Sequence, residues 1–191
     1  MTTIVFFLEE PSAKEMLKGV LPKILSKNTI ANVLYIVFEG KQDLEKHLPI
    51  KLRAWLDPNA IFIVMRDQDS GDCRQIKQNL VNKCTDAGKP KTLVRIACHE
   101  LESFYLGDLK AVSEAIGPPK IASWQNKSKF RNPDALANPS EELKKLAPSY
   151  QKILGSRAIS PLLDIDNNKS TSFNALIKGI QSMLSSLPQP N

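Results

Sequence analysis

Short, continuous apolar runs alternate along the chain with segments in which apolar residues recur every three or four positions. Runs at residues 3–8, 33–38, 61–65 and 92–97 are rich in β-formers and predict four buried strands. Continuous rather than alternating apolar strands are typical of a sheet that is covered on both faces. The sequence therefore predicts an α/β fold, in which helices flank a central, mostly parallel sheet of about four strands.

The segments between these strands have the apolar spacing of helices. The first helix is predicted to open with a capping box, because Ser12 and Glu15 match the pattern S-x-x-E. Pro22 and Pro49 are expected to interrupt the first and second helices, since proline lacks a backbone N–H. Further helices are predicted at residues 73–87, from about residue 100 onwards, and at residues 173–187.

The chain changes character after residue 108. Residues 1–108 hold the strands and form the predicted α/β domain, whereas residues 109–191 predict a mainly helical and irregular appendage packed on the same domain. The first part carries 15 basic and 14 acidic side chains, and the second part carries 11 and 6. The positive charge is concentrated in the appendage, which suits a nucleic-acid surface but also an ordinary solvated one.

Composition argues against several classes of protein. No apolar run approaches the ~18 residues of a membrane span, and residues 1–10 lack the basic start of a signal peptide. Three cysteines without a C-x-x-C pair predict reduced, idle thiols rather than disulfides or a zinc site. The expected location is therefore the cytoplasm. The sequence also lacks the G-x-x-x-x-G-K-[ST] loop of many NTPases.

The candidate carboxylates follow the first, third and fourth predicted strands. Glu9 comes directly after the first strand, Asp67 and Asp69 after the third, and Glu100 and Glu102 after the fourth. Parallel strands place their carboxyl ends at one edge of a sheet, where the ligands of open α/β folds bind. If the D-x-D after the third strand is extended, its two aspartates point the same way.

Carboxylates that are held close together repel one another, and a bound cation removes that cost. Their hard oxygens suit Mg²⁺ or Mn²⁺, so the set predicts a divalent metal site. Each acid alone also has a purely structural interpretation, because aspartate favours turns and helix N-caps. Asp72 precedes the third helix, and it is a candidate cap as well as a secondary candidate ligand.

Three motifs together resemble the Toprim signature, which has a glutamate after the first strand and D-x-D after the third. The motifs are Glu9-Glu10-Pro11-Ser12, Asp67-Gln68-Asp69-Ser70-Gly71-Asp72-Cys73, and the run from His99 to Asp108. They are similar to those of a small bacterial family of Toprim-like proteins that often accompany an OLD-like or SMC-like ATPase. Residues 150–152 and 170–173 resemble C-terminal stretches of the same family, so the resemblance covers nearly the whole chain.

The resemblance implies a Toprim/Rossmann-like fold and a Toprim-type nuclease that hydrolyses phosphodiester bonds in DNA or RNA with Mg²⁺ or Mn²⁺. Carried over to this sequence, it makes Glu9 an acid–base group or metal ligand, and it makes Asp67 and Asp69 metal ligands. Glu102 becomes a further catalytic and metal-binding acid, with Glu100 as the second choice. We expect the four primary carboxylates to converge in one cleft at the carboxyl edge of the sheet.

One departure from the Toprim pattern bears on catalysis. Many Toprim domains have glycine after the first glutamate, whereas this chain has Glu10, whose side chain would crowd a phosphate. Four polar side chains of the appendage are candidates for phosphate contact: Lys152, Lys169, Ser170 and Ser172. Two functions stay open on the sequence alone. One is a nuclease that serves as the partner of an ATPase in phage defence, and the other is a non-catalytic Toprim-like module that binds a partner ATPase or nucleic acid.

Overall fold

A four-stranded parallel sheet organises the computed structural model, which describes residues 2–25 and 31–186. The strand order is β2-β1-β3-β4, and every neighbouring pair runs parallel. The strands are β1 (Thr2–Leu8), β2 (Ala31–Val37), β3 (Ile61–Asp67) and β4 (Leu93–Ala97). The predicted α/β class is confirmed. The third strand runs two residues beyond the predicted apolar run and includes Arg66 and Asp67.

Helices cover both faces of the sheet. The α-helices are α1 (Pro11–Ile24), α2 (Lys41–Arg53), α3 (Cys73–Asp86), α4 (Glu102–Leu106), α5 (Leu109–Ala115), α6 (Pro139–Leu146), α7 (Lys152–Ile159) and α8 (Thr171–Ser185). Short 3₁₀ helices lie at Pro119–Asn126, Ser128–Phe130, Pro133–Ala135 and Ser160–Leu162. Residue 187, the end of the predicted last stripe, lies outside the described residues.

Two hydrophobic cores lie on opposite faces of the sheet because the side chains of a strand alternate. On one face, Val5 and Phe7 of β1 pack with apolar residues of α2 and α3. On the other face, Phe6 and Leu8 pack with α1 and with residues of the helices that follow β4. The central strands β1 and β3 are buried on both faces, which explains their continuous apolar runs.

The predicted capping box is absent, because α1 begins one residue earlier at Pro11. Proline suits the first helical position, where its missing N–H has no partner to lose. Ser12 therefore lies inside the first turn, and its hydroxyl donates a hydrogen bond to the Glu10 carboxylate. Glu15 instead pairs with Arg157 of α7, at 2.7 Å between Nε and Oε2.

The two internal prolines do not interrupt their helices. Pro22 lies inside α1 and Pro49 inside α2, and both helices continue to the end of their apolar stripes. Each proline removes one backbone hydrogen bond. Burial of Leu44, Leu48 and Leu52 along one face holds α2 on the sheet despite that loss.

The segment after residue 108 packs against the α/β part of the chain. α7 and the 3₁₀ helix Ser160–Leu162 lie along α1, and α8 lies against β4. The contact with α1 is close at Gly19, where a Cβ atom would lie 2.2 Å from Ser160 Oγ. Among the described residues, no helix has the length and apolar character needed to cross a membrane.

Candidate functional site

Three neighbouring strands bring carboxylates to one edge of the sheet. Glu9 follows β1, Asp67 ends β3, and Glu102 begins α4 shortly after β4. Because the strands are parallel, all three residues lie at the carboxyl edge. The Glu9 carboxylate accepts a hydrogen bond from the backbone N–H of Asp67, with 3.0 Å between N and Oε2. This bond fixes the ends of β1 and β3 to each other.

Asp67 is an acid held inside the protein, with 8% of its surface exposed. Burial raises the pKa of its carboxyl well above the ordinary value, and the nearby carboxylates of Glu10, Glu102 and Glu9 raise it further. A hydrogen bond from the backbone of Leu101 acts in the opposite direction. Asp67 is therefore surrounded by like charge in a place where water screens poorly.

Glu102 is fully buried, and its two oxygens have different surroundings. Oε1 accepts a hydrogen bond from the hydroxyl of Tyr150 at 2.9 Å. Oε2 has no hydrogen-bond partner among the described residues. Burial raises the pKa of the Glu102 carboxyl, while Lys152 and the Tyr150 hydroxyl counteract that rise. The unpartnered oxygen is an acceptor that lacks a donor or a cation.

Tyr150 contacts Glu102 although the two residues are 48 positions apart in the sequence. Its ring is 3% exposed and lies against Gly155 of α7. A Cβ atom at Gly155 would lie 2.3 Å from two ring carbons of Tyr150, so a larger residue would displace the ring. The absence of a side chain at this position thus gives the tyrosine room to bind Glu102.

Lys152 supplies a positive charge to the carboxylates. Its Nζ lies 3.2 Å from Oε2 of Glu10. Burial lowers the pKa of Lys152, but the carboxylates of Glu10, Glu102 and Asp67 outweigh it, and the pKa is raised overall. The ammonium group therefore stays charged and partly offsets the repulsion among the acids. We refer to Glu9, Glu10, Asp67, Glu102 and Lys152 as the carboxylate cluster.

Asp69 is not part of the carboxylate cluster, and its side chain is partly exposed. Its backbone adopts a left-handed conformation, with φ of 54°, and its N–H donates to the carbonyl of His99 at 2.7 Å. The D-x-D is therefore not extended at its second aspartate, and the argument that both side chains point the same way does not apply. The carboxylate of Asp69 instead pairs with Lys41 at 2.7 Å.

Arg66 is a buried cation that the sequence did not mark as part of the site. Its side chain is 5% exposed and lies between three carboxylates. Its guanidinium is 2.5 Å from Glu45, 3.7 Å from Glu9 and 3.8 Å from Asp69. Because β3 extends past the apolar run, Arg66 occupies a strand position, which sequence patterning gave no reason to expect. It connects the carboxylate cluster with Asp69.

The comparisons with known proteins now place the chain in a family. A family model for a domain of unknown function, DUF4276, matches residues 8–181. The chain belongs to this family. The matched range runs from the last residue of β1 into α8 and contains every residue of the carboxylate cluster.

The fold of this DUF4276 chain is similar to that of the C-terminal region of the Burkholderia pseudomallei OLD protein. The TM-score is 0.53 at 16% sequence identity, and the match covers 95% of this chain and 98% of the other. A likeness at that identity concerns the fold alone, and it agrees with the α/β fold that the sequence predicted. A comparison with curated proteins gives no match.

Two secondary candidates of the DUF4276 chain have structural partners. The carboxylate of Glu100 accepts hydrogen bonds from the backbone N–H and the hydroxyl of Ser140, at 2.7 and 3.0 Å. Asp72 caps α3 by accepting from the backbone N–H of Gln75 at 2.8 Å. Both carboxylates are therefore used to hold helix starts, which is the structural interpretation that the sequence left open.

The candidates for phosphate contact are dispersed. Lys152 lies in the carboxylate cluster, as described above. Ser170 and Ser172 are buried at the start of α8, where the Ser170 hydroxyl and the Ser172 backbone N–H donate to Asp134 at 2.6 and 2.7 Å. Lys169 lines a separate cavity of about 430 Å³ together with Lys23. Lys23 is in the last turn of α1, whose first turn adjoins the carboxylate cluster.

The chemistry of the carboxylate cluster, rather than its present geometry, suits a hard divalent cation. Within residues 2–25 and 31–186, no three histidine, cysteine, aspartate or glutamate side chains stand close enough together to hold one metal ion as placed. The carboxylate oxygens are nevertheless of the type that Mg²⁺ and Mn²⁺ prefer. A cation would provide a partner for Glu102 Oε2 and would relieve the repulsion that raises the pKa of Asp67.

Proposed function

We propose that this DUF4276 chain is a divalent-metal-dependent phosphodiesterase that hydrolyses nucleic acid, with Glu9, Asp67 and Glu102 as the residues that hold Mg²⁺ or Mn²⁺. One observation carries the proposal. The buried acids Asp67 and Glu102 and the partly buried Glu9 lie at the carboxyl edge of the sheet, and the buried oxygen Glu102 Oε2 has no partner among the described residues.

The energetics favour a ligand over a structural role. Burying a carboxylate without a compensating partner costs free energy, and nearby like charges add to that cost. Arg66 and Lys152 are two cations against Glu9, Glu10, Asp67 and Glu102, so the cluster keeps an excess of negative charge when ionised. A divalent cation would neutralise this excess.

The residues of the chain would divide the work at the scissile phosphate. A bound metal ion would stabilise the charge that develops on the phosphate and would lower the pKa of a bound water. Glu9, whose pKa is raised by burial, would hold or accept a proton. Lys152 is the candidate for phosphate contact, and it must first leave Glu10. Lys169, Ser170 and Ser172 have other contacts and are not needed in this scheme.

Asp69 has a conditional part in the proposal. Its carboxylate is 37% exposed and already holds Lys41. It would join the metal site when Lys41 turns away, since an exposed ion pair contributes little free energy. The resemblance to Toprim-like proteins that accompany an OLD-like or SMC-like ATPase supports a partner ATPase and a role in phage defence as part of the same proposal.

The experiment measures Mn²⁺ binding by calorimetry and cleavage of DNA and RNA with Mg²⁺, Mn²⁺ or EDTA. Asp67→Asn is compared with Asp86→Asn, an aspartate at the exposed end of α3. We expect wild type and Asp86→Asn to bind Mn²⁺ and to cleave, and Asp67→Asn to do neither. Equal Mn²⁺ binding by all three proteins, or none by wild type at millimolar metal, would overturn the proposal.

A non-catalytic module is the second candidate, and the ion pairs at the site favour it. Lys41 holds Asp69 of the Toprim pattern, and Lys152 holds the neighbouring Glu10, so both acids are neutralised without metal. Metal binding without cleavage of any nucleic acid, with or without an ATPase partner, would select this function over the nuclease.

A further inference from the structure

A segment between α5 and α6 concentrates positive charge on the surface. Residues 119–132 contain four basic side chains and no acidic one. The basic residues are Lys120, Lys127, Lys129 and Arg131, and all four are exposed. Trp124 lies among them and is partly exposed. We refer to these five residues as the basic–aromatic patch.

The lysines of the patch lie over the tryptophan. Lys127 Nζ is 3.7 Å from the centroid of the Trp124 ring, and Lys120 Nζ is 5.9 Å from it. At an exposed site such a cation–π contact contributes only ~0.5–1 kcal/mol. A planar group can therefore replace Lys127 on the ring at small cost, while the ammonium group stays close by.

Most of the positive charge of the patch is uncompensated. Lys129 forms an ion pair with Glu142 of α6. Within the part of the chain that the structure describes, Lys120, Lys127 and Arg131 have no carboxylate within 4.0 Å. A 14-residue surface segment with three unpaired cations and no acid is unusual for a plain solvated surface, where charges of both signs mix.

The patch rests on a rigid support. Ile121 and Phe130 belong to the hydrophobic core, with 1% and 4% of their surfaces exposed. The side chain of Gln125 donates to the carbonyls of Leu106 and Phe130, at 3.1 and 2.8 Å. Leu106 ends α4, the helix that begins with Glu102 of the carboxylate cluster. The patch is therefore fixed to an element of the site.

A second set of contacts places the patch beside the carboxyl edge. Lys129 binds Glu142 of α6, and Ser140 in the first turn of the same helix binds Glu100. Glu100 follows β4 and lies two residues before Glu102. The patch is therefore linked through α6 to the segment that follows β4 and leads into Glu102.

We propose that the basic–aromatic patch binds single-stranded nucleic acid, with the cations along the phosphates and one base stacked on Trp124 in place of Lys127. The inference rests on the proposed function for the class of substrate, and it names the form of that substrate. Only an unpaired base presents its face to a side chain, and stacking on aromatic rings is how many proteins hold single strands. Duplex DNA would use the cations but not the ring.

The experiment follows the fluorescence of Trp124 during binding of a 20-nucleotide oligo(dT) in EDTA at low salt. The protein has two tryptophans, so Trp55→Phe leaves Trp124 as the reporter. We expect quenching on binding and tighter binding of the single strand than of a duplex.

Two sets of variants test the cations and the ring separately. In the Trp55→Phe background, Lys127→Ala/Arg131→Ala should weaken binding about 10-fold. It should also lower the salt dependence, since each lost phosphate contact removes about 0.7 from the slope of log affinity against log salt concentration. Trp124→Leu, measured by anisotropy of labelled oligo(dT), should weaken binding at least about fivefold.

The matched control is Lys51→Ala/Arg53→Ala, which removes two exposed charges from the last turn of α2. It should bind oligo(dT) within about twofold of its parent. The inference is overturned if oligo(dT) does not bind, if duplex binds as tightly, if Trp124 is not quenched, or if the control loses as much affinity. Because EDTA removes any metal, binding without later cleavage in Mg²⁺ would overturn the proposed function and leave this inference standing.

Discussion

Asp67 and Asp69 are two positions apart in one D-x-D motif, and the fold treats them in opposite ways. Asp67 ends a buried strand, is 8% exposed, and has Glu9, Glu10 and Glu102 near its carboxyl. Asp69 has turned out of the strand into a left-handed conformation, and its carboxylate pairs with Lys41. One aspartate lies among like charges, and the other already has a cation.

The difference shows that a motif specifies residue types but leaves their electrostatic surroundings open. The environment of Asp67 favours a divalent cation, because its neighbours are acids and its carboxyl is shielded from water. The environment of Asp69 favours the ion pair that it has. We therefore expect substitutions at Asp67 and Asp69 to differ strongly in their effect on metal affinity.

The largest effect is expected from exchanging each aspartate for asparagine. Asp67→Asn should weaken Mn²⁺ binding at least about 100-fold, or about 2.7 kcal/mol, because a buried ligand oxygen loses its charge. Asp69→Asn should weaken it by about threefold or less, since its carboxylate is engaged elsewhere. Calorimetric titration of both variants measures the contrast. Equal losses would mean that the two aspartates act as one unit, contrary to the geometry.

The next effect concerns the support of Glu102. Tyr150→Phe keeps the ring but removes the donor to a buried carboxyl, and it should lower the free energy of unfolding by about 1–3 kcal/mol. Tyr105→Phe is the matched control, because the Tyr105 hydroxyl is also buried but has no partner among the described residues. It should change stability by less than about 0.5 kcal/mol. Urea unfolding of both variants measures the contrast, and similar losses of stability would contradict a stabilising role for the hydrogen bond between Tyr150 and Glu102.

A smaller effect is expected from pH. Burial raises the pKa of the carboxyls of Asp67, Glu102 and Glu9, so the folded protein holds these protons more tightly than the unfolded chain does. Their contribution to stability is fully present below the ordinary carboxyl pKa and is lost as the pH rises through the raised values. Without metal, the free energy of unfolding should fall by about 1 kcal/mol between pH 5.5 and pH 8.

The acids whose pKa is lowered do not mask this trend. Glu15, Asp43 and Glu142 stabilise the fold above their ordinary values of 4.5, 3.8 and 4.5, and they lose that contribution only below this window. Saturating Mg²⁺ should restore stability at pH 8 and change it little at pH 5.5. Stability that rises from pH 5.5 to pH 8 without metal would contradict the expectation.

The smallest effect is expected on the Asp69 side. Lys41→Ala breaks an ion pair that is about half exposed, so the free energy of unfolding should change by about 0.2–1 kcal/mol. If Lys41 competes with metal for Asp69, the same variant should bind Mn²⁺ slightly more tightly, by about two- to threefold. Calorimetry at low and high salt measures both consequences. A large loss of stability would mean that the pair supports the left-handed turn.

The sheet was predictable because strands buried on both faces leave continuous apolar runs in the sequence. The strand order was not, since hydrophobic pattern carries no information on which strands are neighbours. The carboxyl-edge position of Glu9 and Asp67 follows from the parallel arrangement alone. Their burial does not, because it depends on β3 extending through Arg66, a residue that patterning assigns to a loop.

Long-range contacts account for what the sequence did not reveal about the site. Tyr150 meets Glu102 across 48 residues, and its room depends on Gly155, which as a glycine gives no signal of its partner. The left-handed turn at Asp69 is likewise fixed by the bond to His99, a residue on another strand end. The prediction of a capping box was wrong for a local reason, because the helix begins at Pro11 and Ser12 is therefore already inside its first turn.

The ion pairs between α1 and α7 have a consequence for how the protein is made. Lys152 with Glu10, and Arg157 with Glu15, each join residues 142 positions apart. A ribosome therefore delivers the carboxylates long before it delivers the lysine and the tyrosine that complete their surroundings, and contacts between distant residues form late. The carboxylate cluster therefore has its complete surroundings only after the chain has been synthesised through α7, and a shorter nascent chain would hold these acids without their lysine and tyrosine.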